Sequence, residues 1–292
     1  MRLGVHIPIA GGLPLAIERA ASLQCTAMQI FSRSPRGGPA PTLTDAQAQA
    51  FDAARRAAGI DPLIIHGPYI INLASPEAYL WGRSVALFKE EYVRAVRLNA
   101  QYLVIHVGSH RGSGEAAGIA RVAQALTETL AATPQARTLV LLENTAGAGQ
   151  GLGDRFEHLA AMRAGAGEPA RVGVCLDTAH LFAAGHPIHT PDGLEEVMAS
   201  FDRTVGLPHV RAIHLNDSKV GFGAKVDRHW HIGKGKIGLA AFRRIVNHPQ
   251  LRELPFILET PKSTEMDDRR NLAAVRALAN GHAKKRARAL AG

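Results

Sequence analysis

The chain alternates short apolar runs with longer helix-like segments, and it does so eight times. The runs are Arg2–His6, Ala27–Phe31, Leu63–His66, Tyr102–His106, Leu139–Glu143, Val172–Asp177, Val210–His214 and Pro255–Glu259. Runs this short and this continuously apolar suit strands buried on both faces, which pair in parallel when helices cross between them. The stretches between are rich in Ala, Leu, Glu and Arg at helical spacing, among them Ala78–Leu98, Ala116–Leu130 and Pro191–Val205. Local signals start helices: Thr44-Asp45 precedes one, and Thr190-Pro191-Asp192 puts proline just inside another. Eight such units in 292 residues fit a closed (β/α)8 barrel. The alternative, a doubly wound open sheet, lacks its usual G-x-G-x-x-G after the first strand, where only Gly11-Gly12 stands. With no linker or break in composition, residues 1–280 read as one domain. The basic segment 281–292, containing Lys284-Lys285-Arg286-Ala287-Arg288, reads as a flexible tail.

Hydrophobic residues make up 46% of the chain, enough for a sizeable core. No apolar run approaches the ~20 residues of a membrane helix. The opening Met1-Arg2-Leu3-Gly4-Val5-His6 reads as the start of a strand rather than a secretory leader, so a cytoplasmic protein is expected. Cys25 and Cys175 sit in apolar contexts and are expected as buried, reduced thiols. A formal charge of +9 favours an anionic partner, of which nucleic acid is the commonest for a soluble protein.

Seven of the eight runs end in an ionisable residue: His6, His66, His106, Glu143, Asp177, His214 and Glu259. The second ends instead in Phe31-Ser32-Arg33. In a parallel barrel all these ends converge on one face. A single histidine there is ordinarily a hydrogen-bonded structural residue. Seven imidazoles and carboxylates together need compensation, and a metal supplies it. Two local patterns add donors. Asp177-Thr178-Ala179-His180 places a histidine one helical turn past a strand-end aspartate, and Asp227-Arg228-His229 projects two side chains to one side of an extended segment. Each pattern alone is common by chance and gains meaning only from the rest. His6 is read as lining the site rather than as a ligand. Asn144, Asn216 and Asp217 are candidate acceptors that fix imidazole tautomers.

These residues fall in five ordered blocks: His66-Gly67-Pro68-Tyr69-Ile70-Ile71-Asn72-Leu73, Leu142-Glu143-Asn144-Thr145-Ala146-Gly147, Gly173-Val174-Cys175-Leu176-Asp177-Thr178-Ala179-His180, His214-Leu215-Asn216-Asp217-Ser218-Lys219 and Gly223-Ala224-Lys225-Val226-Asp227-Arg228-His229. With them the chain resembles the endonuclease IV (deoxyribonuclease IV) family of zinc-dependent apurinic/apyrimidinic endonucleases. The likeness runs from Gly4-Val5-His6 to Ile257-Leu258-Glu259-Thr260-Pro261. It implies a (β/α)8 TIM barrel carrying three zinc ions, with manganese as an alternative at one site. Carried over position by position, it puts His66 and His106 on a first zinc and Glu143 as a bridge to a second. Asp177, His214 and Glu259 complete the second, and His180, Asp227 and His229 hold the third. Five imidazoles in such a set agree with zinc rather than magnesium. The activity implied is hydrolysis of the phosphodiester 5′ to an abasic site by a metal-bound hydroxide, leaving a 3′-hydroxyl and a 5′-deoxyribose phosphate. The partner implied is double-stranded DNA with abasic or 3′-blocked lesions. A monomer is expected, since no interface signature is visible.

The family's duplex-opening residues correspond to Arg36, in the loop after the second strand, and to Tyr69 with Ile70 beside it. Lys219 and Arg228 are candidate phosphate contacts. The loop departs from the family, which commonly has an aromatic shortly after the arginine, whereas this chain reads Arg36-Gly37-Gly38-Pro39-Ala40-Pro41. That change predicts a more mobile loop with weaker base stacking. Val107, Ala179 and Lys234 stand where proline, Cys or Ser, and Glu are common; none is an implied ligand. His231 alternates with Asp227 and His229, but the resemblance assigns only those two. The remaining histidines, His110, His158, His186, His189, His209, His248 and His282, read as structural. Two other functions fit a barrel of this layout: a metal-dependent sugar isomerase or epimerase, and a non-catalytic DNA-damage binding protein.

Overall fold

A computed structural model describes residues 1–279; the basic segment 281–292 lies outside the described residues. Eight parallel strands form the barrel: β1 (Arg2–Val5), β2 (Met28–Phe31), β3 (Leu63–His66), β4 (Tyr102–Ile105), β5 (Leu139–Glu143), β6 (Val172–Asp177), β7 (Val210–His214) and β10 (Pro255–Leu258). The helices between and after them are α1 (Leu13–Ser22), α2 (Asp45–Ala57), α3 (Ala78–Arg97), α4 (Glu115–Ala131), α5 (Phe156–Gly165), α6 (Thr178–Ala184), α7 (Pro191–Thr204), α8 (Leu239–Asn247) and α9 (Asp267–Ala279). A two-residue ribbon, β8 (Asp217–Ser218) with β9 (His229–Trp230), pairs antiparallel beyond β7.

The sheet order is β1-β10-β7-β6-β5-β4-β3-β2, and the ring closes where β1 meets β2. There Thr26 N donates to Leu3 O at 2.9 Å, and Ile7 N donates to Gln29 O at 2.7 Å. Gly4 permits this closure, because a Cβ at that position would stand 1.8 Å from the Ala27 carbonyl oxygen. The helices begin as their sequences dictate. Thr44 and Gln47 form a capping box at α2, and Thr190 Oγ1 accepts from Gly193 N at α7.

The barrel interior is layered. A buried apolar ring comprises Ala27, Ile64, Val104, Leu141, Cys175, Ala212 and Ile257. Side chains alternate along a strand, so the residue two further on faces the same way. Adding two to each member gives Gln29, His66, His106, Glu143, Asp177, His214 and Glu259, and the same step from Gly4 gives His6. A polar ring therefore caps the apolar one at the C-terminal mouth, where sites of this fold are built. His6, His106 and Glu259 stand one residue beyond the last ladder position of their strands rather than within it. Cys25 and Cys175 are both buried and unpaired.

Candidate metal centre

Eight of the nine implied ligands fall into three groups whose donor atoms all lie within 4.8 Å of one another: His66, His106 and Glu143; Glu143, Asp177, His214 and Glu259; and Asp177, His180 and His229. The ninth, Asp227, closes the third group from the solvent side. Its Oδ2 lies 3.2 Å from His180 Nε2 and its Oδ1 3.3 Å from His229 Nε2. Asp177 Oδ2 lies 3.4 Å from the same His229 nitrogen, so Asp177 faces both the second and the third groups. Glu143 sits at the middle, with Oε2 3.2 Å from His66 Nε2 and 3.4 Å from His106 Nε2. Its other oxygen, Oε1, is 2.9 Å from His214 Nδ1 and 3.4 Å from His180 Nδ1.

Local folding aims each donor. The Asp177 carboxylate caps α6 by accepting from His180 N at 2.8 Å, which fixes His180 one turn away. The β8–β9 ribbon holds His229 over the mouth, with Ser218 opposite it. Four imidazoles are oriented through one nitrogen each. His66 Nδ1 donates to Gly67 O at 2.8 Å, His180 Nδ1 to Asn144 O at 2.9 Å, and His229 Nδ1 to Glu259 O at 3.2 Å. His214 is turned the other way, with Nε2 donating to Gln29 Oε1 at 2.8 Å. The remaining nitrogen of each ring is thereby left with its lone pair facing the centre, the arrangement metal-ligating histidines adopt. Asn216 braces two carboxylates: Nδ2 donates to Asp177 Oδ2 at 2.6 Å, and Oδ1 accepts from Glu259 N at 2.7 Å. Asp217 does not fix an imidazole. Its carboxylate instead accepts backbone N–H groups from Ser218, Gly233, Gly235 and Ile237, which shapes the loop beyond β9.

The charges at the centre favour cations. Burial opposes ionisation of Glu143, yet the imidazoles of His106 and His214 beside it hold its carboxyl well below the usual range. Glu259 is likewise held well below despite burial, chiefly by His214. Asp227 is brought down to about 2 against its burial, chiefly by the neighbouring imidazoles of His180 and His229. Burial also opposes charge on His180, but Asp177, Asp227 and Glu143 raise it well above the ordinary imidazole range.

The donor set fits a metal. Around a tetrahedral zinc with bonds of about 2.1 Å, neighbouring donors stand about 3.4 Å apart. The contacts of His66 and His106 with Glu143, of His180 with His229 and Asp227, and of His229 with Asp177 and Asp227 span 3.2 to 3.4 Å, while His180 Nδ1 and Asp177 Oδ1 stand 3.8 Å apart. Charge-assisted hydrogen bonds are shorter, about 2.7–2.9 Å. His214 with Glu143, at 2.9 Å, is the exception.

The mouth opens into a cavity of about 310 Å³ lined by Phe31, Tyr69, His106, Asp227, Thr260 and Lys262, among others. Tyr69, which lines it, and the adjacent Ile70 are 63% and 52% exposed. The Tyr69 ring packs edge-on against Phe31 at 5.2 Å, and burial together with Glu259 and Glu143 pushes its hydroxyl up to about 12. Exposed Arg36 lies on the neighbouring loop, tied to this one where Tyr69 N donates to Pro35 O at 3.2 Å. A Cβ on Gly37 would stand 2.6 Å from Ile70 Cδ1. The base of that loop is fixed by Arg33, buried and paired with Glu91, whose other oxygen accepts from Ser32. Exposed Lys219 and Arg228 stand on the ribbon side, joined where Lys219 N donates to Arg228 O at 2.9 Å. The Lys219 ammonium rests over the Trp230 ring at 4.4 Å. His231 points elsewhere and bonds Asn271 at 3.1 Å. Sequence reasoning missed Gln29, the one amide in the polar ring. It also missed Lys262, whose ammonium bonds the His6 carbonyl and Asp268 at 2.6 Å each. The period-two step from Ala27 is the signal that points to Gln29.

Comparison with known proteins agrees with this geometry. A family model described as a xylose isomerase-like TIM barrel matches residues 17–281. A protein of Chloroflexus aurantiacus named "Probable endonuclease 4" is 45% identical over 281 residues, 96% of this chain and 99% of that one. The crystal structure of endonuclease IV from Thermus thermophilus superposes with a TM-score of 0.85 at 39% identity, covering 95% of this chain and 98% of that one. D-Psicose 3-epimerase from Clostridium cellulolyticum matches with a TM-score of 0.67 at only 15% identity, covering 96% of this chain and 98% of that one, a likeness of fold alone. Near-full-length identity to endonuclease IV proteins, on a barrel whose mouth gathers these His, Asp and Glu side chains, has one meaning for descent: the chain belongs to the endonuclease IV family.

Proposed function

We infer that the protein is a DNA-repair endonuclease that hydrolyses the phosphodiester on the 5′ side of abasic sites in double-stranded DNA, leaving a 3′-hydroxyl and a 5′-deoxyribose phosphate. The observation that carries the reading is the convergence of five imidazoles and four carboxylates at one barrel mouth, eight of them in three groups whose donor atoms lie within 4.8 Å of one another. His66, His106 and Glu143 would hold one zinc; Glu143, Asp177, His214 and Glu259 a second; His180, Asp227 and His229, beside Asp177, a third. Manganese is an alternative at one of them. When bound, such ions supply Lewis acidity to a phosphodiester, lower the pKa of water and offset charge on the leaving oxygen. Three divalent ions outweigh four carboxylates, so the mouth attracts a phosphate.

The protein's own residues bind and present the substrate. Lys219 and Arg228 attract phosphates flanking the mouth. Arg36, Tyr69 and Ile70 form an exposed wedge whose aromatic and aliphatic surfaces take the place of stacked bases when a nucleotide leaves the duplex. Tyr69 keeps its hydroxyl proton and serves as a stacking and hydrogen-bonding group. Glu143, with both oxygens directed at imidazoles of different groups, ties the centre together.

The test is a labelled duplex carrying one synthetic abasic site, incubated with zinc-loaded protein. A nick immediately 5′ to the lesion, with an extendable 3′-hydroxyl, is expected. Tight lesion binding without cleavage would mark a damage-binding protein instead, and inactivity on DNA together with turnover of a ketose would mark an epimerase.

A further inference from the structure

Gln29 is fully buried in the polar ring, the one member that is not ionisable. It lies between two of the residues assigned above to the second ion. Its Oε1 accepts from His214 Nε2 at 2.8 Å, and its Nε2 donates to Glu259 Oε1 at 2.6 Å. The same Nε2 lies 2.9 Å from His6 Nδ1. The amide has one workable orientation, because turning it over would set its oxygen 2.6 Å from a carboxylate oxygen and its N–H groups against an imidazole N–H. Proton positions then follow in sequence. His214 carries its proton on Nε2 and presents the Nδ1 lone pair. Both amide hydrogens are used, one on Glu259 and one on His6, so His6 Nδ1 accepts and its proton sits on Nε2, an atom with no partner among the described residues.

We propose that Gln29 is the positioning residue of the ion held by His214 and Glu259. One amide sets the tautomer of His214 and selects which Glu259 oxygen faces the ion. With Oε1 occupied by the Gln29 N–H, Oε2 is left free, and it stands 3.2 Å from His214 Nδ1. A polar side chain merely satisfied in a core needs partners of no particular kind. This one divides its oxygen and its nitrogen between two donors of the same group, and its second N–H goes to His6 beside them. The assignment rests on the metal reading of the site given above.

Two variants and one wild-type measurement test it. Long-range 1H–15N correlation on protein with 15N-labelled histidine reports tautomers directly, and wild-type His214 is expected in the Nε2–H form. Gln29→Leu removes the bonds to His214, Glu259 and His6. Competition with a chelator is expected to show one ion weakened by about 10–100-fold, with the others unchanged. Gln29→Glu keeps an acceptor for His214 and loses the donor to Glu259, so it should retain the tautomer and still weaken that ion. Should Gln29→Leu fail to fold, Gln29→Glu and the wild-type spectrum decide. Wild-type His214 in the Nδ1–H form overturns the proposal, as does a folded Gln29→Leu that holds every ion with wild-type affinity. Wild-type protein that takes up no zinc contradicts the metal reading itself, and the His214 tautomer then decides for or against Gln29 alone.

Discussion

His180 Nε2 and His229 Nε2 lie 3.3 Å apart while the Nδ1 of each ring is committed to a backbone carbonyl. Two imidazole lone pairs at that separation repel unless a positive charge lies between them. Asp227 and Asp177 complete the surround with carboxylate oxygens at 3.2 to 3.4 Å. A proton answers part of this demand; a divalent ion with tetrahedral preference answers all of it.

The third group should therefore lose its ion first when it is damaged. His229→Ala is expected to leave a folded protein that surrenders about one zinc of three to a chelator that wild type resists, since losing one of few ligands removes a large share of a site's affinity. Elemental analysis after dialysis checks this. Retention of wild-type zinc by the variant would place His229 outside the ligand set.

Glu143→Gln should reduce nicking of an abasic duplex by at least about 10²–10³-fold, because an amide neither bridges two cations nor balances the imidazoles around it. A single-turnover assay on zinc-loaded, folded variant measures the effect. Unchanged cleavage would remove Glu143 from its bridging role.

The wedge should govern DNA binding rather than metal content. Tyr69→Ala is expected to weaken binding of an abasic duplex about tenfold or more, in line with stacking worth about 1–3 kcal/mol per base. Zinc content should not change. Equal affinity of variant and wild type, measured by fluorescence anisotropy, would return Tyr69 to an ordinary exposed aromatic.

Lys219→Ala and Arg228→Ala should each lower the slope of log K against log salt by about one, which is the signature of a lost phosphate contact. Lys219 is the sharper case, since its ammonium already rests over Trp230. A slope identical to wild type would mean that the ring keeps it from DNA.

Closure of the barrel predicts a stability effect far from the chemistry in kind. Gly4→Ala forces a methyl into the Ala27 carbonyl, and a cost of about 1–3 kcal/mol or more is expected. Chemical denaturation reads it as a lower midpoint; an unchanged midpoint would show that β1 and β2 separate without penalty.

Much of this is legible in the sequence, because strand ends in a parallel barrel have only one place to go. Six of the nine implied ligands close apolar runs and His180 lies one turn past such a residue, whereas Asp227 and His229 form a weak pattern of their own that the family resemblance assigns. Gln29 is not a run end, because β2 continues past its inward-facing position to Phe31-Ser32-Arg33. Counting by two from the apolar ring locates it. The sharing of Asp177 between groups depends on the fold of the β8–β9 ribbon, a contact between segments far apart in sequence that no local spacing encodes. The tie between Gly37 and Ile70 is of the same kind: glycine reads as freedom in the sequence, while in the fold it makes room for a neighbour.

Whether the nine side chains form one centre is decided by the zinc content of the folded wild-type chain, measured by elemental analysis after removal of loosely held metal. About three ions per chain are expected from the donor count and geometry. A value near one, or none, would contradict the shared centre.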